Sequence, residues 1–216
     1  MPTDSPIPPW APARQARSRR TAERIVAAAL DLLGERPFER MSVAEIAAGA
    51  RISVGGFYAR FSSKDALLDY LNHTVIDGMV DLVQEQFSPA ATTDLGARDV
   101  IGRYIQLAVA TFREHRTVLR AVSLRSRTSA DPAFRERVRQ ANRSMHDIFR
   151  ARLREREDEF GHGDPALAVD LALTAVSGAM REYVLFADQR PQFDPVDDER
   201  LATELTDLFC NYLGIR

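Results

Sequence analysis

Cysteine is almost absent from this chain. Cys210 is the only one, so no internal disulfide can form and a reducing, cytoplasmic setting is expected. It falls on the apolar side of the last helical segment, where a packed thiol is a more economical reading than a redox centre. Long apolar runs are missing too. The longest stretch without a charged residue is ten, Leu171 to Met180, against the roughly 20 needed to span a bilayer. No basic segment followed by an apolar core opens the chain, so neither a signal peptide nor a membrane partner is expected. The four histidines, His73, His115, His146 and His162, show no paired metal-ligand spacing. A G-x-S-x-G elbow, a P-loop and a dinucleotide fingerprint are all missing. No metal, no cofactor and no enzymatic activity are therefore expected.

What is present is ordinary globular material. The 216 residues are 45% hydrophobic and 28% charged, enough for a substantial core in one or two closely packed domains. The net charge of −2 argues by itself against nucleic acid, but its distribution argues the other way. Residues 1–64 hold ten Lys+Arg and six Asp+Glu, or +4, and residues 65–216 hold nineteen and twenty-five, or −6. Arg14, Arg17, Arg19 and Arg20 lie in a stretch with no acid between Asp4 and Glu23. That asymmetry fits an anion-binding front end on an acidic body, and equally a solvated basic tail.

Residues 1–13 contain five prolines and cannot continue a helix. Residues 1–18 are expected to be a disordered Pro/Arg-rich arm. From Arg19 the pattern is helical: Ile25, Ala28, Ala29, Leu32 and Leu33 follow one buried face until Gly34 and Pro37 stop it. In "MSVAEIAAGA" Ser42 and Glu45 form a capping box before a helix of about two turns. Ser62 or Ser63 caps a long helix to about Phe87, and "SPAATTDLG" reads as a loop. Further helices are expected over 97–114, 115–124, from Asp131-Pro132 to a break at Gly161–Gly163, from Asp164-Pro165 through Phe186, and around Leu201–Leu213.

Between these lies "ISVGGFYARFSSK", residues 52–64. Its paired glycines and alternating apolar residues have the form of a β-hairpin. No other segment reads as a strand, and a lone two-stranded hairpin is marginal in water. A short helix is the better reading, although each glycine costs it about 1 kcal/mol relative to Ala. Glycine lacks a Cβ and lets a backbone approach a ligand closely, so a helix that lies against DNA has reason to keep one. A short capped helix, a tight turn and a second short helix form a helix-turn-helix, whose second helix enters the major groove.

Residues 19–68 resemble the DNA-binding domain of the TetR (tetracycline-repressor-like) family of bacterial transcription regulators. The resemblance rests on "RPFERMSVAEIA" and "ISVGGFYARFSSKDAL", which follow the family pattern in order and density. It implies that Ser42 offers its hydroxyl to a phosphate, that Ser53 caps the recognition helix, and that Val54 points into the groove. Gly55 would permit close approach, Tyr58 and Arg60 would meet the DNA backbone, Lys64 would join a phosphate at the next helix N-terminus, and Arg19 and Arg20 would act as an arm. Two departures stand out: Arg51 occupies a position where many relatives have Gly, and Gly56 one where many have a phosphate-binding Thr.

The resemblance implies an all-α protein of roughly nine helices. A three-helix DNA-binding domain at 19–66 would precede a ligand-binding and dimerisation domain at 67–216. It further implies binding to double-stranded DNA at a palindromic operator as a homodimer, and release by a small-molecule effector. Apolar residues in the middle helices, Tyr104, Phe112, Met145, Phe149 and Tyr183, are candidates to line the effector site. Leu201, Leu205, Leu208 and Tyr212 form a stripe expected at the dimer interface. An activator or dual regulator would carry the same DNA contacts, and a helical ligand-binding protein without operator binding is the rival outside that class.

Overall fold

The structure, a computed structural model, describes residues 11–128, 131–189 and 194–215; of residues 11–18, Ala141, Ser144 and Met145 it describes the backbone alone. The described residues form helices joined by turns and short irregular segments, with no strand among them, as the all-α expectation requires. They form ten α-helices rather than about nine, together with short 3-10 turns and one π-helical segment. Two compact units divide at Leu71 and Asn72, five residues beyond the expected boundary. No helix among the described residues is long and apolar enough to cross a membrane.

The N-terminal unit begins with α1 (Ala11–Glu35). Residues 11–18 are therefore helical, which corrects the expected arm; the proline-bearing residues 1–10 of that arm lie outside the described residues. Ile25, Ala28, Ala29 and Leu33 bury one face of α1. The helix ends at Glu35 because Pro37 disfavours helical backbone in the residue before it. A 3-10 turn, Phe38–Arg40, tucks the Phe38 ring inward. Then come α2 (Val43–Gly49) and α3 (Val54–Tyr58). The core of the unit gathers Ile25, Phe38, Ile46, Phe57, Leu67 and Leu68. α1 and α2 meet so closely at Gly49 that a Cβ there would lie 3.1 Å from the Ala28 Cβ.

α4 (Lys64–Gln86) starts in the N-terminal unit, capped by Ser63, whose hydroxyl accepts the Ala66 N–H at 3.0 Å. The C-terminal unit adds α5 (Pro89–Thr92), α6 (Ala97–Glu114), α7 (Arg116–Thr128), α8 (Pro132–Arg154), α9 (Pro165–Met180) and α10 (Asp198–Leu213). α5 corrects the loop expected at "SPAATTDLG": Ser88 caps a single turn whose first residue is proline. Asp131, Asp164 and Asp197 cap α8, α9 and α10 by accepting a first-turn N–H. α9 stops at Met180, earlier than the expected Phe186, and continues as a π-helical segment, Arg181–Leu185. α10 ends at Gly214, whose φ of 74° only glycine adopts without strain.

The core of the C-terminal unit is aromatic at its centre. Tyr104 stacks on Phe149 with ring centroids 3.9 Å apart, and Phe87 and Phe209 meet Phe149 edge-on. Ile101, Ile105, Val176 and Leu205 fill in around them. Arg156, almost fully buried, donates to the carbonyls of Thr92, Leu95 and Arg152 and so fastens α5 to the end of α8.

Candidate functional site

Three residues on α3 face outward together. Val54, Gly55 and Tyr58 fall within about 100° of arc on a helix of 3.6 residues per turn. Val54 is 43% and Tyr58 53% exposed, large values for such apolar bodies. Phe57 does the anchoring: it is fully buried, edge-on to Tyr58 and tilted against Phe61. Phe57 is thus core, while Val54 and Tyr58 on either side of the glycines are not.

Gly55 faces open space. A Cβ built there would find only the Ser53 Oγ, 3.9 Å away. The fold therefore has no packing use for glycine at 55, while the helix loses propensity by keeping it. Gly56 is more enclosed, with a Cβ 3.4 Å from Ser53 Oγ and 3.5 Å from the Ile52 Cβ. Ser53 caps α3 as expected, its hydroxyl accepting the Gly56 N–H at 3.0 Å.

Ser42 completes the capping box at the start of α2. Its hydroxyl accepts the Glu45 N–H at 3.2 Å and donates to Glu45 Oε2 at 2.7 Å, while its own N–H donates to the same carboxylate. These bonds, with Arg36 at 2.7 Å, hold the Glu45 carboxyl below the usual carboxylate range. The single hydroxyl proton of Ser42 is thus already committed; to meet a phosphate it would have to turn away from Glu45. The turn that follows contains Arg51 at φ 54°, the left-handed region where relatives carrying Gly would be unstrained. Its N–H still donates to Ala48, and that of Ile52 to Ala47, so the turn closes normally. Arg19, Arg20 and Arg60 are exposed, and Arg60 donates to the carbonyl of its neighbour Ala59.

Lys64 departs from the expectation. Its ammonium turns inward and donates to the carbonyls of Phe38 and Met41, both at 2.8 Å, and more weakly to Glu39. It also lies 4.4 Å from the centroid of the Phe38 ring. An ammonium has three protons to give, and these acceptors take them. The phosphate role expected of Lys64 therefore gives way to a brace between the 3-10 turn and the start of α4. Spacing along the chain could not show this, because the acceptors are backbone carbonyls some 25 residues away.

In the C-terminal unit the effector candidates separate. Tyr104 and Phe149, both expected to line the effector site, are buried and stacked on each other in the core. The Tyr104 hydroxyl meets His146 Nδ1 at 2.7 Å. Burial lowers the His146 pKa to about 4 and raises that of Tyr104, so both stay neutral near pH 7. Tyr183 packs half-buried against the core. The Met145 side chain lies outside the described residues. Phe112 does line a cavity, of about 180 Å³, together with Val122, Val138, Leu185, Arg127 and Arg181. The two arginines escaped the sequence reading. The one hint was that Arg181 ends the ten-residue charge-free run.

The expected interface stripe also splits. Leu201 and Leu205 are buried within the C-terminal unit itself, so they have little surface left for a partner. Leu208 (47% exposed) and Tyr212 remain open, as do Leu167 (52%) and Leu171 on α9. Helical periodicity puts all four α10 residues on one side, but it does not say how far along the helix the unit's own neighbours reach.

Comparison with known proteins gives two family matches. Residues 25–71 match the model described as bacterial regulatory proteins, tetR family. Residues 98–213, more than half of the chain, match that of the tetracyclin repressor-like C-terminal domain. No curated protein matches the chain. Among solved structures, FadR from Bacillus subtilis in complex with stearoyl-CoA is similar at 18% identity and TM-score 0.69, over 90% of this chain and 99% of that one. A tetR-family regulatory protein from Rhodococcus RHA1 is similar at 19% identity and TM-score 0.69, over 91% and 98%. PfmR from Thermus thermophilus gives 20% and 0.64, over 89% and 98%. At these identities the likeness extends to the fold.

Proposed function

The chain belongs to the tetR family of bacterial regulatory proteins and is a DNA-binding transcriptional regulator, and from that premise we propose that it is a repressor acting as a homodimer on a palindromic operator and released by a small-molecule effector. The observation that carries the DNA reading is Gly55. It stands in open space between outward Val54 and Tyr58, on a helix whose opposite face Phe57 anchors. A Cβ-free surface there suits a backbone that comes close to the floor or wall of the major groove.

In this reading Val54 supplies an apolar contact to a base edge, and Tyr58 and Arg60 position the helix on phosphates. Arg19 and Arg20 reach flanking DNA from α1. Ser42, Ser53 and Lys64 serve the framework, and Gly56 gives up the phosphate contact that a threonine would make. Dimerisation rests on the open apolar side chains of α9 and α10, Leu167, Leu171, Leu208 and Tyr212. The protein works in the cytoplasm, where its DNA is. The effector is taken up in the C-terminal unit; a chain of this fold, the Bacillus subtilis FadR, has been captured with stearoyl-CoA.

Selection of bound sequences from random DNA tests the reading. The expected product is an inverted repeat whose half-sites each contact one recognition helix. Recovery of no enriched sequence, with a folded dimer in hand, would leave a ligand-binding helical protein in its place.

A further inference from the structure

The 180 Å³ cavity of the C-terminal unit has charge of one sign only. Parts of α4, α6, α7, α8 and the π-helical segment converge on it, and its lining contains two arginines, Arg127 and Arg181, and no Asp or Glu. A second charged cavity of this unit, about 300 Å³ between α8 and α9, sets the contrast. There Arg143, Arg150 and Arg154 are matched by Asp147, Glu157 and Asp170, and Arg150 bonds Asp170 at 2.8 Å. Neither Arg127 nor Arg181 makes an ion pair among the described residues.

Two guanidiniums brought together without a carboxylate repel each other, and Arg181 is half-buried besides. Burial first, and then the charge of Arg127, lower the Arg181 pKa, with Glu182 partly opposing them. Arg181 also opens the π-helical segment, a geometry that recurs at functional sites. Beside the arginines the lining is mixed: Phe112, Val122, Val138 and Leu185 form an apolar wall, and two asparagines and two serines supply neutral polar groups. The volume is that of about six waters at ~30 Å³ each, and lies below the roughly 300–1,000 Å³ of pockets for drug-sized ligands.

We propose that this cavity is the effector site and that its ligand is a small organic carboxylate, the anionic head held between Arg127 and Arg181 and the apolar body against Phe112, Val122, Val138 and Leu185. The assignment rests on the effector-released reading above and names the chemistry of that effector. Arginine's planar fork matches a carboxylate with two parallel hydrogen bonds, and a bound anion would offset the repulsion between the two guanidiniums. Inorganic phosphate would satisfy the arginines but not the apolar walls.

The test uses the full chain in thermal melts and titration calorimetry at matched ionic strength. The probes are benzoate and the straight-chain acids from butanoate to octanoate, with benzamide, hexanamide and inorganic phosphate as counterparts. At least one carboxylate is expected to bind saturably and raise the melting temperature, the amides and phosphate not. Arg127→Gln and Arg181→Gln should each weaken binding at least tenfold, and Arg143→Gln, in the charge-matched cavity, should not. Without ligand, Arg181→Gln should melt at or above wild type, because an uncompensated cation is gone; an arginine with a merely structural role would lower it. Arg127→Gln, at an exposed position, keeps the test decisive if Arg181→Gln fails to fold. Absence of saturable binding by every carboxylate, equal binding of the amides or of phosphate, or unchanged binding by both variants overturns the assignment. A carboxylate that binds as expected but leaves operator binding untouched sinks the effector-release reading and leaves the site standing.

Discussion

The hydroxyl of Ser53 accepts the backbone N–H of Gly56 at 3.0 Å, and a Cβ placed on Gly56 would sit 3.4 Å from that same oxygen. The first turn of the recognition helix is thus closed from below by its cap, and the glycine beside it, Gly55, is left with nothing above.

Gly55 can therefore be filled without harm to the fold. Gly55→Ala should leave the melting temperature unchanged or raise stability by up to about 1 kcal/mol through helix propensity. Gly55→Leu should fold equally well and bind every operator poorly. A sharp drop in melting temperature for Gly55→Leu with normal DNA binding would make the glycine a packing requirement instead.

Tyr58 and Val54 should fail in different ways. Tyr58→Phe removes a phosphate partner and should weaken matched and mismatched operators about equally. Substitutions at Val54 should change which sequence is preferred, by about 1–3 kcal/mol per affected base pair. Binding of each variant to a small set of operators distinguishes the two patterns.

Arg51 holds a left-handed backbone that costs a non-glycine residue about 1–2 kcal/mol. Arg51→Gly should stabilise the free protein by roughly that amount, reduced by the greater freedom of glycine in the unfolded chain. Arg51→Val, branched at Cβ, should destabilise it. Chemical denaturation of the three proteins side by side gives the order; Arg51→Gly less stable than wild type would refute it.

Lys64→Met should act on folding, not on the ionic component of DNA binding. Hydrogen bonds from a charged group contribute about 1.5–3 kcal/mol, and the buried carbonyls of Phe38 and Met41 would be left to find other donors. A melting temperature lowered by several degrees is expected, with the salt dependence of operator binding unchanged. A slope reduced by about one, at unaltered stability, would mean that Lys64 contacts a phosphate after all.

Leu208 and Leu205 are three residues apart and should respond oppositely to charge. Leu171→Glu with Leu208→Glu should give a folded monomer by light scattering, because both side chains are exposed. Leu205→Glu should instead unfold the C-terminal unit, since it buries a carboxylate in the core. A double variant that stays dimeric would move the interface elsewhere.

Much of this architecture could be read along the chain because it is written in local chemistry. The Ser42–Glu45 box, the Asp-Pro pairs at 131–132 and 164–165, and the buried stripe of α1 each signal their role within a turn or two of helix. The outward face of α3 was readable for the same reason: Phe57 anchors, and its neighbours are what a groove would meet. What escaped the sequence depends on meetings at a distance. Lys64 is a surface-type residue until the carbonyls of Phe38 and Met41 are seen beneath it. Tyr104 and Phe149 look like pocket walls until they are found stacked on each other. Arg127 and Arg181 become a pair only when α7 and the π-helical segment close on one space. Leu201 and Leu208 share a side of α10, but only the fold shows where its cover ends.

The brace made by Lys64 has a further consequence. It is the only lysine in a chain otherwise furnished with arginine, and it ties position 64 to position 38, a span of 26 residues that encloses both α2 and α3. The reading head is therefore a closed loop fastened at both ends. The entropy of closing that loop is surrendered when the protein folds, before any DNA arrives, and is not demanded again at the operator. Less ordering is then left for the operator to impose on α2 and α3, and discrimination between sequences falls to the few side chains that stand proud of the face, Val54 and Tyr58 among them.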